Sequence, residues 1–380
     1  MDALTTPLPK AWQKVRLEDI AEIIGGGTPS TQVTSFWNGS INWFTPTEIG
    51  ITKYVYKSQR TITPLGLKKS SAKFLPVGTI LLTSRASIGD CAILKVAATT
   101  NQGFQSLIPL EKINNEFLYY LILTLKNKLL KLASGSTFLE VSPNKIKNLL
   151  IPLPPLNEQI AIANILSGLD HYLYSLDALI LKKESVKKAL SFELLSQRKR
   201  LKGFNQNWQR VRLGDIANYL TSNLSAEQIT QQGKIKVYDV NNFIGYTNTT
   251  SISDKPYISI VKDGSVGRVR ILPPKTNILS TMGALVANHK TTTEFLFYLL
   301  SNFDFKNFTS GSIIPHIYFK DYKEKTIFLP PLNEQIAIAN VLSALDHEIA
   351  SLKNKKRQFD NIKKALNHDL MSAKIRVLKK

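Results

Sequence analysis

The chain repeats itself, and this duplication constrains its fold more than any other feature of the sequence. The segment LPPLNEQIAIANILSGLDH at 153–171 returns as LPPLNEQIAIANVLSALDH at 329–347, and 17 of its 19 positions are identical. KKAL and SGS motifs recur at the same offset of 176 residues. WQKVRLEDIA at 12–21 recurs as WQRVRLGDIA at 208–217, at an offset of 196. The 380 residues are therefore predicted to form two copies of one structural unit.

The two copies have diverged unevenly. EFLYYL at 116–121 matches EFLFYL at 294–299 at an offset of 178, which predicts about 18 extra residues in the first copy between Ala21 and Glu116. The segments that begin at 153 and 329 are nearly identical, whereas the stretches before them have drifted widely. Relaxed surface loops could explain this drift, and so could recognition surfaces that are specialised for two different targets.

Each copy reads as a globular part followed by a long helix. The stretch from 12 to 152 mixes β-rich runs, such as VGTILLTS at 77–84, with a helix over 114–133 that begins at an asparagine cap. No proline occurs from 156 to 202, or from 332 to 380. A helix of about 40 residues, and thus about 60 Å long, is predicted in each copy. The predicted segments are two globular domains, 1–152 and 204–328, and two helical regions, 153–203 and 329–380.

An apolar stripe with 3–4 spacing runs along each predicted helix, as in a coiled-coil seam. In the first helix it comprises Ile165, Leu169, Tyr172, Leu176, Leu179, Val186 and Leu190, interrupted by Lys183. In the second it comprises Val341, Leu345, Ile349, Leu352, Phe359, Ile362, Leu366 and Leu370. We expect an α+β protein in which the two helices pair as an antiparallel coiled coil with internal pseudo-two-fold symmetry, one mixed α/β domain lying near each end. Packing of each helix on its own domain, or on another protein, is the alternative.

The charge of the chain indicates a polyanionic partner. Lys and Arg number 49 against 28 Asp and Glu, which gives a net charge of +21. Such an excess favours nucleic acid, although a solvated basic surface or a ribosome-associated protein would have the same composition. The longest apolar run, at 117–125, is about half a membrane span, and the N-terminus lacks a signal pattern. We therefore expect a cytoplasmic protein without a membrane partner.

Patterns for catalysis, cofactors and metals are missing from the sequence. GGGTPST at 25–31 lacks the Lys-Ser/Thr ending of a phosphate-binding loop, and neither an amino-methyltransferase motif nor a Glu-x-Lys pattern occurs. Cys91 is the single cysteine, and no Cys/His cluster has zinc spacing. Asp170 precedes His171, and Asp346 precedes His347, but adjacent residues of a helix point about 100° apart. These pairs are interpreted as packing residues, and no catalytic centre, cofactor or metal is expected.

The duplicated LPPLNEQIAIA motif, the long helix after it and the divergent segment that opens each copy with W-x-x-V-R-L-x-D-I-A occur in a specific order. This arrangement closely resembles the specificity subunit of type I restriction–modification enzymes, and the resemblance covers nearly the whole chain. GGGTPS at 25–30, which is common near the start of such domains, has no counterpart after Ile216. The second domain is therefore expected to be built differently at that point.

The resemblance implies a non-catalytic subunit that binds double-stranded DNA at a split site. Each target recognition domain, 1–152 and 204–328, would read one half-site, and the paired helices would set the spacing between the halves. The helices would also dock two methyltransferase (modification) subunits, which hold S-adenosylmethionine and methylate adenine, with room for ATP-dependent restriction subunits. The matching segments imply a helix-start and partner-docking surface comprising Leu156, Glu158, Gln159, Ile162, Ala163, Leu332, Glu334, Gln335, Ile338 and Ala339. Folding constraint alone is the other explanation for their near-identity.

Candidate DNA contacts lie where matched loops occur in both copies. In the first copy they are Ser84, Arg85, Ser87, Ser134, Gly135, Ser136 and Thr137. In the second copy they are Lys262, Ser265, Arg268, Ser310, Gly311, Ser312 and His316. The glycines would let backbone amides approach a phosphate, although a simple helix stop also explains each serine loop. Lys145, Lys147, Lys320 and Lys323 precede the long helices and are expected to meet phosphates.

Two other functions remain open from the sequence. One is a coiled-coil scaffold that binds proteins without sequence-specific DNA recognition, with its basic faces merely solvating the rod. The other is a nuclease or methyltransferase with an unfamiliar site. Salt-dependent binding to one split duplex sequence would separate DNA recognition from the scaffold, and activity of the isolated chain would support the enzyme.

Overall fold

A computed structural model describes residues 8–135 and 139–377 of the protein, and the chain divides into two units. The first unit extends to Leu176 and also includes the chain from Lys355 onward, and the second comprises Asp177–Asn354. Each unit therefore contains one globular domain, the first half of one long helix and the second half of the other. The unit boundaries fall inside the helices, so they cut the chain differently from the four segments expected from the sequence.

The first unit is a mixed α/β domain with a long helix at its end. Its strands are β1 (Gln13–Arg16), β2 (Ala21–Gly25), β3 (Trp37–Phe44), β4 (Tyr54–Val55), β5 (Arg60–Ile62), β6 (Ile80–Leu82), β7 (Cys91–Leu94), β8 (Ala98–Thr100), β9 (Gln105–Pro109) and β10 (Leu150–Leu153). Its helices are α1 (Pro64–Lys68), α2 (Asn115–Leu132), α3 (Pro143–Lys147) and the start of α4 (Leu156–Leu195).

The second unit repeats this plan. Its strands are β11 (Gln209–Arg212), β12 (Ala217–Thr221), β13 (Ile235–Tyr238), β14 (Phe243–Thr247), β15 (Tyr257–Val261), β16 (Val269–Leu272), β17 (Thr276–Ile278), β18 (Met282–Ala287), β19 (Thr309–Ser310), β20 (His316–Ile317) and β21 (Thr326–Leu329). Its helices are α5 (Thr293–Ser301), α6 (Phe319–Tyr322) and the start of α7 (Leu332–Met371).

The sheets show that the duplicated sequence folds into duplicated topology. The strand order β2-β9-β6-β7 of the first unit matches β12-β18-β15-β16 of the second. A smaller sheet, β5-β3-β8, matches β14-β13-β17, with one parallel pair in each. The extra residues of the first copy fall between β3 and β8, where they form β4 and α1. The described residues of the second unit contain no counterpart of either element.

Helix α2 begins and packs as its sequence predicts. The Asn114 side chain accepts a hydrogen bond from the Phe117 amide (2.9 Å), which satisfies one free amide of the first turn. The apolar face of α2, which includes Phe117, Leu118 and Tyr120, is fully buried in the first core. The predicted helix over 114–133 is therefore confirmed, and it lies across the sheet that carries the loops described below.

Within each unit the two long-helix segments pair antiparallel, as expected. In the first unit Glu158 contacts Arg376, and the Tyr172 ring lies 4.7 Å from the Phe359 ring. Residue numbers therefore rise along α4 while those of the contacting residues in and just after α7 fall, which is antiparallel pairing. In the second unit Lys187 contacts Asp346 (2.5 Å), and Arg200, beyond the end of α4, contacts Glu334. Both α4 and α7 contain 40 residues, the predicted length.

The helix seam differs from the predicted stripe at several positions. The leucine and isoleucine side chains that are buried along α4 are those of Ile162, Leu166, Leu173, Leu176, Ile180 and Leu194. Ile165, Leu179 and Val186, which were predicted to lie in the seam, are exposed, as is Ile362 of α7. The shift of one position has a physical cause, because apolar residues occupy adjacent positions, as at Ile165 and Leu166, and 3–4 spacing alone does not choose between them. Lys183, the expected interruption, and Lys187, which the stripe omits, pair through their ammonium groups with Glu348 and Asp346.

Candidate nucleic-acid interface

Two loops of the first unit, predicted separately, meet in the structure. We call them the first loop pair: residues 83–90, between β6 and β7, and residues 133–135 with 139–142, which follow α2. Ser134 and Glu140 exchange two backbone hydrogen bonds (3.0 Å each), and the Val141 amide donates to the Ser84 carbonyl (3.0 Å). The Arg85 guanidinium contacts the Glu140 carboxylate at 2.9 Å. An ion pair thus joins the outer ends of both loops.

The turn at 83–90 is held by its own hydrogen bonds. The Thr83 hydroxyl donates to the Ser87 carbonyl (2.6 Å) and accepts from the Asp90 amide (3.0 Å). Ala86 and Gly89 have positive φ angles of 56° and 88°, the left-handed conformation that a tight turn requires. Arg85, directly before the first of these positions, is presented at the turn surface with its side chain 46% exposed.

The other predicted residues of the first copy vary in accessibility. Lys145 reaches the same place, because its ammonium donates to the Ser134 hydroxyl (3.2 Å) and the Leu132 carbonyl (2.8 Å). Gly135 is exposed and Lys147 is half-buried. Ser84 and Ser87 are corrected as direct contacts, because their hydroxyl oxygens are buried and have no hydrogen-bond partner among the described residues. Ser136 and Thr137 lie outside the described residues.

The second unit contains the equivalent second loop pair, residues 261–268 and 309–318. The Gly264 amide donates to the Pro315 carbonyl and the Ile317 amide donates to the Lys262 carbonyl, both at 2.9 Å. His316 Nδ1 lies 2.6 Å from an Asp263 carboxylate oxygen. This contact occupies the place of the Arg85–Glu140 ion pair in the first unit.

The remaining predicted residues of the second copy surround this contact. The exposed residues among them are Ser265, Arg268, Ser310, Gly311, Ser312 and Lys320, whereas Lys262 and Lys323 are half-buried. The Arg268 guanidinium donates to the Asn241 side-chain oxygen (2.8 Å), which ties the loop to the neighbouring β13–β14 turn. Gly311 has φ of 90°, so this turn also depends on a glycine.

Alignment of the two loop sequences shows that a basic residue in one unit corresponds to an acidic residue in the other. TSRASIGD at 83–90 aligns with VKDGSVGR at 261–268, which places Arg85 opposite Asp263. The bridge partners Glu140 and His316 are related by the same offset of 176 as the SGS motifs. Glu140 and Asp263 were not predicted from the sequence. The signal that could have found them was the set of repeat offsets, since these place Asp263 opposite Arg85 and Glu140 opposite His316.

The predicted partner-docking residues are mostly internal. Glu158, Gln159, Ile162 and Ala163 are buried, and so are their counterparts Glu334, Gln335, Ile338 and Ala339. Of the ten residues only Leu156 and Leu332 are exposed, and each is 46% accessible. The prediction is corrected accordingly, because a side chain that is packed within its own unit has no surface to offer a partner.

The buried carboxylates form two matching clusters, which we call the first and second anchors. In the first anchor Glu158 accepts hydrogen bonds from the Trp12 indole (3.0 Å) and the Arg376 guanidinium (2.7 Å). In the second anchor Glu334 accepts from the Trp208 indole (3.0 Å) and the Arg200 guanidinium (3.0 Å).

Hydrogen bonding to Glu334 raises the pKa of Arg200 above its usual value, so the guanidinium stays protonated. Each arginine follows the end of one long helix, whereas the carboxylate lies in the first turn of the other. The anchors therefore attach the end of one copy to the start of the other.

Of the two Asp-His pairs interpreted as packing residues, Asp170 and Asp346 take part in packing, whereas His171 and His347 do not. Asp170 accepts from Tyr120 and Lys363, and Asp346 accepts from Tyr298 (2.9 Å) and Lys187. Burial, with a smaller contribution from the bond to its aspartate, raises the pKa of each tyrosine, so the hydroxyl remains a donor. The adjacent His171 and His347 are exposed, which separates each histidine from its aspartate as the helix geometry requires.

The GGGTPS segment is the end of β2 and the packed loop after it. The Trp43 indole donates to the Gly27 carbonyl (2.9 Å) and the Trp37 indole donates to the Ser30 carbonyl (3.0 Å). A Cβ atom on Gly26 would lie 2.0 Å from the Asn101 carbonyl oxygen, so a side chain is excluded there. In the second unit the corresponding loop after β12 borders an open polar cleft of about 530 Å³ instead.

Among residues 8–135 and 139–377, no group of three or more His, Cys, Asp or Glu side chains is arranged to hold a metal ion. Cys91 is buried, and desolvation raises the pKa of its thiol, which disfavours the reactive thiolate. In the same described part of the chain, no helix has the length and apolar character needed to span a membrane.

Comparison with known proteins places these features in a family. The model of the type I restriction modification DNA specificity domain matches twice, at residues 9–183 and 205–359. A type I restriction enzyme specificity subunit, MjaIX, from Methanocaldococcus jannaschii is 29% identical over 97% of this chain and 95% of its own length. A second subunit from that organism, described as putative MjaX, is 30% identical over 97% and 95%. The crystal structure of a type I S subunit from M. genitalium has the same fold, with a TM-score of 0.61, 21% identity and coverage of 96% and 98%.

Proposed function

Because this chain belongs to the family of type I restriction modification DNA specificity proteins, we propose that it selects the DNA target of a type I restriction–modification complex. Each globular domain binds one half of a split duplex site, and the chain itself does not catalyse a reaction. Adenine methylation, and restriction where present, belong to partner subunits. The chain binds cellular DNA, so we expect it to act in the cytoplasm.

One observation carries this proposal: the same two-loop frame occurs in both units with different side chains on it. The turns share their left-handed residues at Ala86 and Gly264 and again at Gly89 and Gly267. The paired side chains on the frame are Arg85 with Glu140 in one unit and Asp263 with His316 in the other. Common backbone with exchanged hydrogen-bonding groups is what two readers of different half-sites require.

Charge supports binding to the DNA backbone. Lys145 projects beside the first loop pair, and Arg268 and Lys320 are exposed beside the second. Cations in these positions would neutralise phosphates and release counterions, which makes affinity fall steeply with salt concentration. The net charge of +21 supplies a general attraction to DNA in addition to these local contacts.

The start of each long helix supports docking of two identical modification subunits. Leu156 and Ile160 are exposed on successive turns of α4, and Leu332 and Ile336 repeat them on α7. Leu156 and Leu332, which belong to the ten residues expected from the sequence, and Ile160 and Ile336, which do not, form the docking surface that we propose. Because the two patches are identical in sequence, they would bind two copies of one partner, and we propose modification subunits in this role.

Mapping of methylated adenines tests the proposal. Cells that contain the modification subunits are compared with and without this full-length chain. We expect one split motif to lose methylation when the chain is absent. Unchanged methylation, together with binding to duplex DNA that shows no preference for a split sequence, would instead favour the protein-binding scaffold.

Substitution of the exposed helix-start leucines tests the docking surface. Leu156→Asp and Leu332→Asp together should abolish co-purification of the modification subunits, because charged side chains replace exposed apolar ones. Asn164→Asp with Asn340→Asp, at exposed matched positions two turns further along, is the control and should leave co-purification intact. Equal loss in both double variants would place the docking surface elsewhere or indicate a general effect of charge.

A further inference from the structure

We propose that the two loop pairs read bases of opposite hydrogen-bonding character. The Arg85–Glu140 pair presents donors and reads a guanine. The Asp263–His316 pair presents acceptors and reads the amino group of an adenine or a cytosine. This inference rests on the proposed function, and it assigns the base class that each half-site contains at one position.

Arg85 is suited to guanine by its geometry. One terminal nitrogen of its guanidinium contacts Glu140 at 2.9 Å, and the group carries further N–H donors that this single contact does not engage. The side chain is 46% exposed, so these donors are accessible to a base edge. A guanidinium held in this way matches the O6 and N7 acceptors that guanine displays in the major groove.

His316 presents the opposite character. The Asp263 carboxylate lies 2.6 Å from Nδ1 and therefore accepts the proton carried by that nitrogen. With the proton on Nδ1, the neutral form of the ring carries a lone pair on Nε2, and the second carboxylate oxygen of Asp263 is a further acceptor. Two neighbouring acceptors match the N6 amino group of adenine or the N4 amino group of cytosine, whereas they repel the O6 of guanine.

The common backbone argues that both pairs serve one purpose. Each contact joins a loop that follows the central strand of its sheet to the segment that follows the next helix, and each has a left-handed residue directly after the loop member. The side chain of each member of both pairs is about a third or more exposed, so neither contact is a buried structural ion pair. A pair needed only to close the loops could keep the same groups in both units. The exchange of donors for acceptors instead changes what the surface offers to a ligand.

Single substitutions test this assignment in the full-length chain assembled with its modification subunits. The assembly is used to select binding sites from duplex DNA in which every position of the split motif is randomised. Arg85→Ala should reduce the preference for guanine at one position of one half-site by about 10- to 100-fold. Arg85→Lys, which keeps the charge but not the planar fork, should lose most of that preference. His316→Ala and Asp263→Asn should relax the preference for adenine or cytosine in the other half-site alone.

A reciprocal exchange makes the test more specific. The double variant Arg85→Asp with Glu140→His should change the preference of the first half-site from guanine to adenine or cytosine. Arg16→Ala and Arg212→Ala, at exposed arginines of the first strands that form ion pairs outside the loop pairs, are the controls. Neither should change any base preference.

The outcomes separate this inference from the proposed function. If the wild-type assembly selects a split motif and both Arg85→Lys and Asp263→Asn retain every base preference, the pairs only hold their loops together and the inference is wrong. If each variant alters the two half-sites equally, the assignment of one pair to each half is wrong. If the wild-type assembly selects no split motif, the proposed function itself fails. Arg85→Lys and Asp263→Asn are conservative enough to decide the question should an alanine variant unfold.

Discussion

The two units are most alike at their anchors and least alike at their loop pairs. Glu158 and Glu334 each bind one tryptophan and one arginine, with both indole distances at 3.0 Å. The loop pairs keep their backbone but place Arg85 where the other unit has Asp263. The difference shows which parts of the duplicated unit are constrained by folding. A buried carboxylate permits few substitutions, whereas an exposed pair on a rigid turn can change without unfolding the chain.

The largest expected effect comes from removal of an anchor carboxylate. Glu158→Ala and Glu334→Ala should each lower the free energy of unfolding of their unit by about 3–5 kcal/mol, because an arginine and an indole N–H lose a buried partner. Denaturant unfolding followed by tryptophan fluorescence measures both, since each anchor contains a tryptophan. Near-equal losses would support equivalence of the anchors. A loss below about 1 kcal/mol in one unit alone would break the comparison.

A slightly smaller effect is expected in the helix seams. Leu166→Ala and Leu342→Ala remove equivalent, fully buried side chains and should each destabilise the protein by about 2–4 kcal/mol. Val186→Ala and Ile362→Ala lie at equivalent exposed positions and should change stability by about 0.5 kcal/mol or less. Thermal or denaturant unfolding compares the four variants. If Val186→Ala lost more stability than Leu166→Ala, the seam would follow the apolar stripe predicted from the sequence.

The turn after the first strand of each main sheet should respond differently in the two units. Gly27→Ala should cost about 1–3 kcal/mol, because its Cβ would lie 2.4 Å from the Ala72 amide nitrogen. Asn223→Ala, at the corresponding exposed position beside the open cleft, should cost about 0.5 kcal/mol or less. The same unfolding measurement applies to both variants. Equal costs would mean that the two turns are built alike despite their different sequences.

The smallest effect appears only at alkaline pH. Burial raises the pKa of Tyr257 to about 12 from an ordinary value of 10.0, and the corresponding residue of the first unit is Thr79. The unfolded chain loses the tyrosine proton above pH 10, whereas the folded chain retains it, so stability from this group is present below pH 10 and falls as pH rises toward 12. Tyr257→Phe should make stability less dependent on pH in this range. An unchanged slope would show that other groups account for it.

The duplication made much of the fold predictable. The repeated motifs predicted two units, the cap at Asn114 predicted the start of α2, and the absence of proline predicted two helices of the observed length. These features depend on local residue patterns, which determine helix starts and lengths directly. The seam was less predictable, because apolar residues occupy adjacent positions, as at Ile165 and Leu166, and only tertiary packing chooses between them.

The candidate site was predictable only in part for the same reason. The serine and glycine loops could be located, but burial removed Ser84 and Ser87 from the accessible set, and the partners Glu140 and Asp263 were missed. Whether a hydroxyl is exposed depends on which segments pack over it. One of them, at Val141, bonds the Ser84 carbonyl from 57 residues away along the chain.

By itself, the sequence determined that this protein is a doubled unit with a basic surface and two long helices, because repetition, charge and helical periodicity are properties of neighbouring residues. Only the tertiary structure decided which charges face one another. An ion pair forms between residues that folding brings together, so Arg85 could be matched to Glu140, and Asp263 to His316, only once the loops were seen to meet.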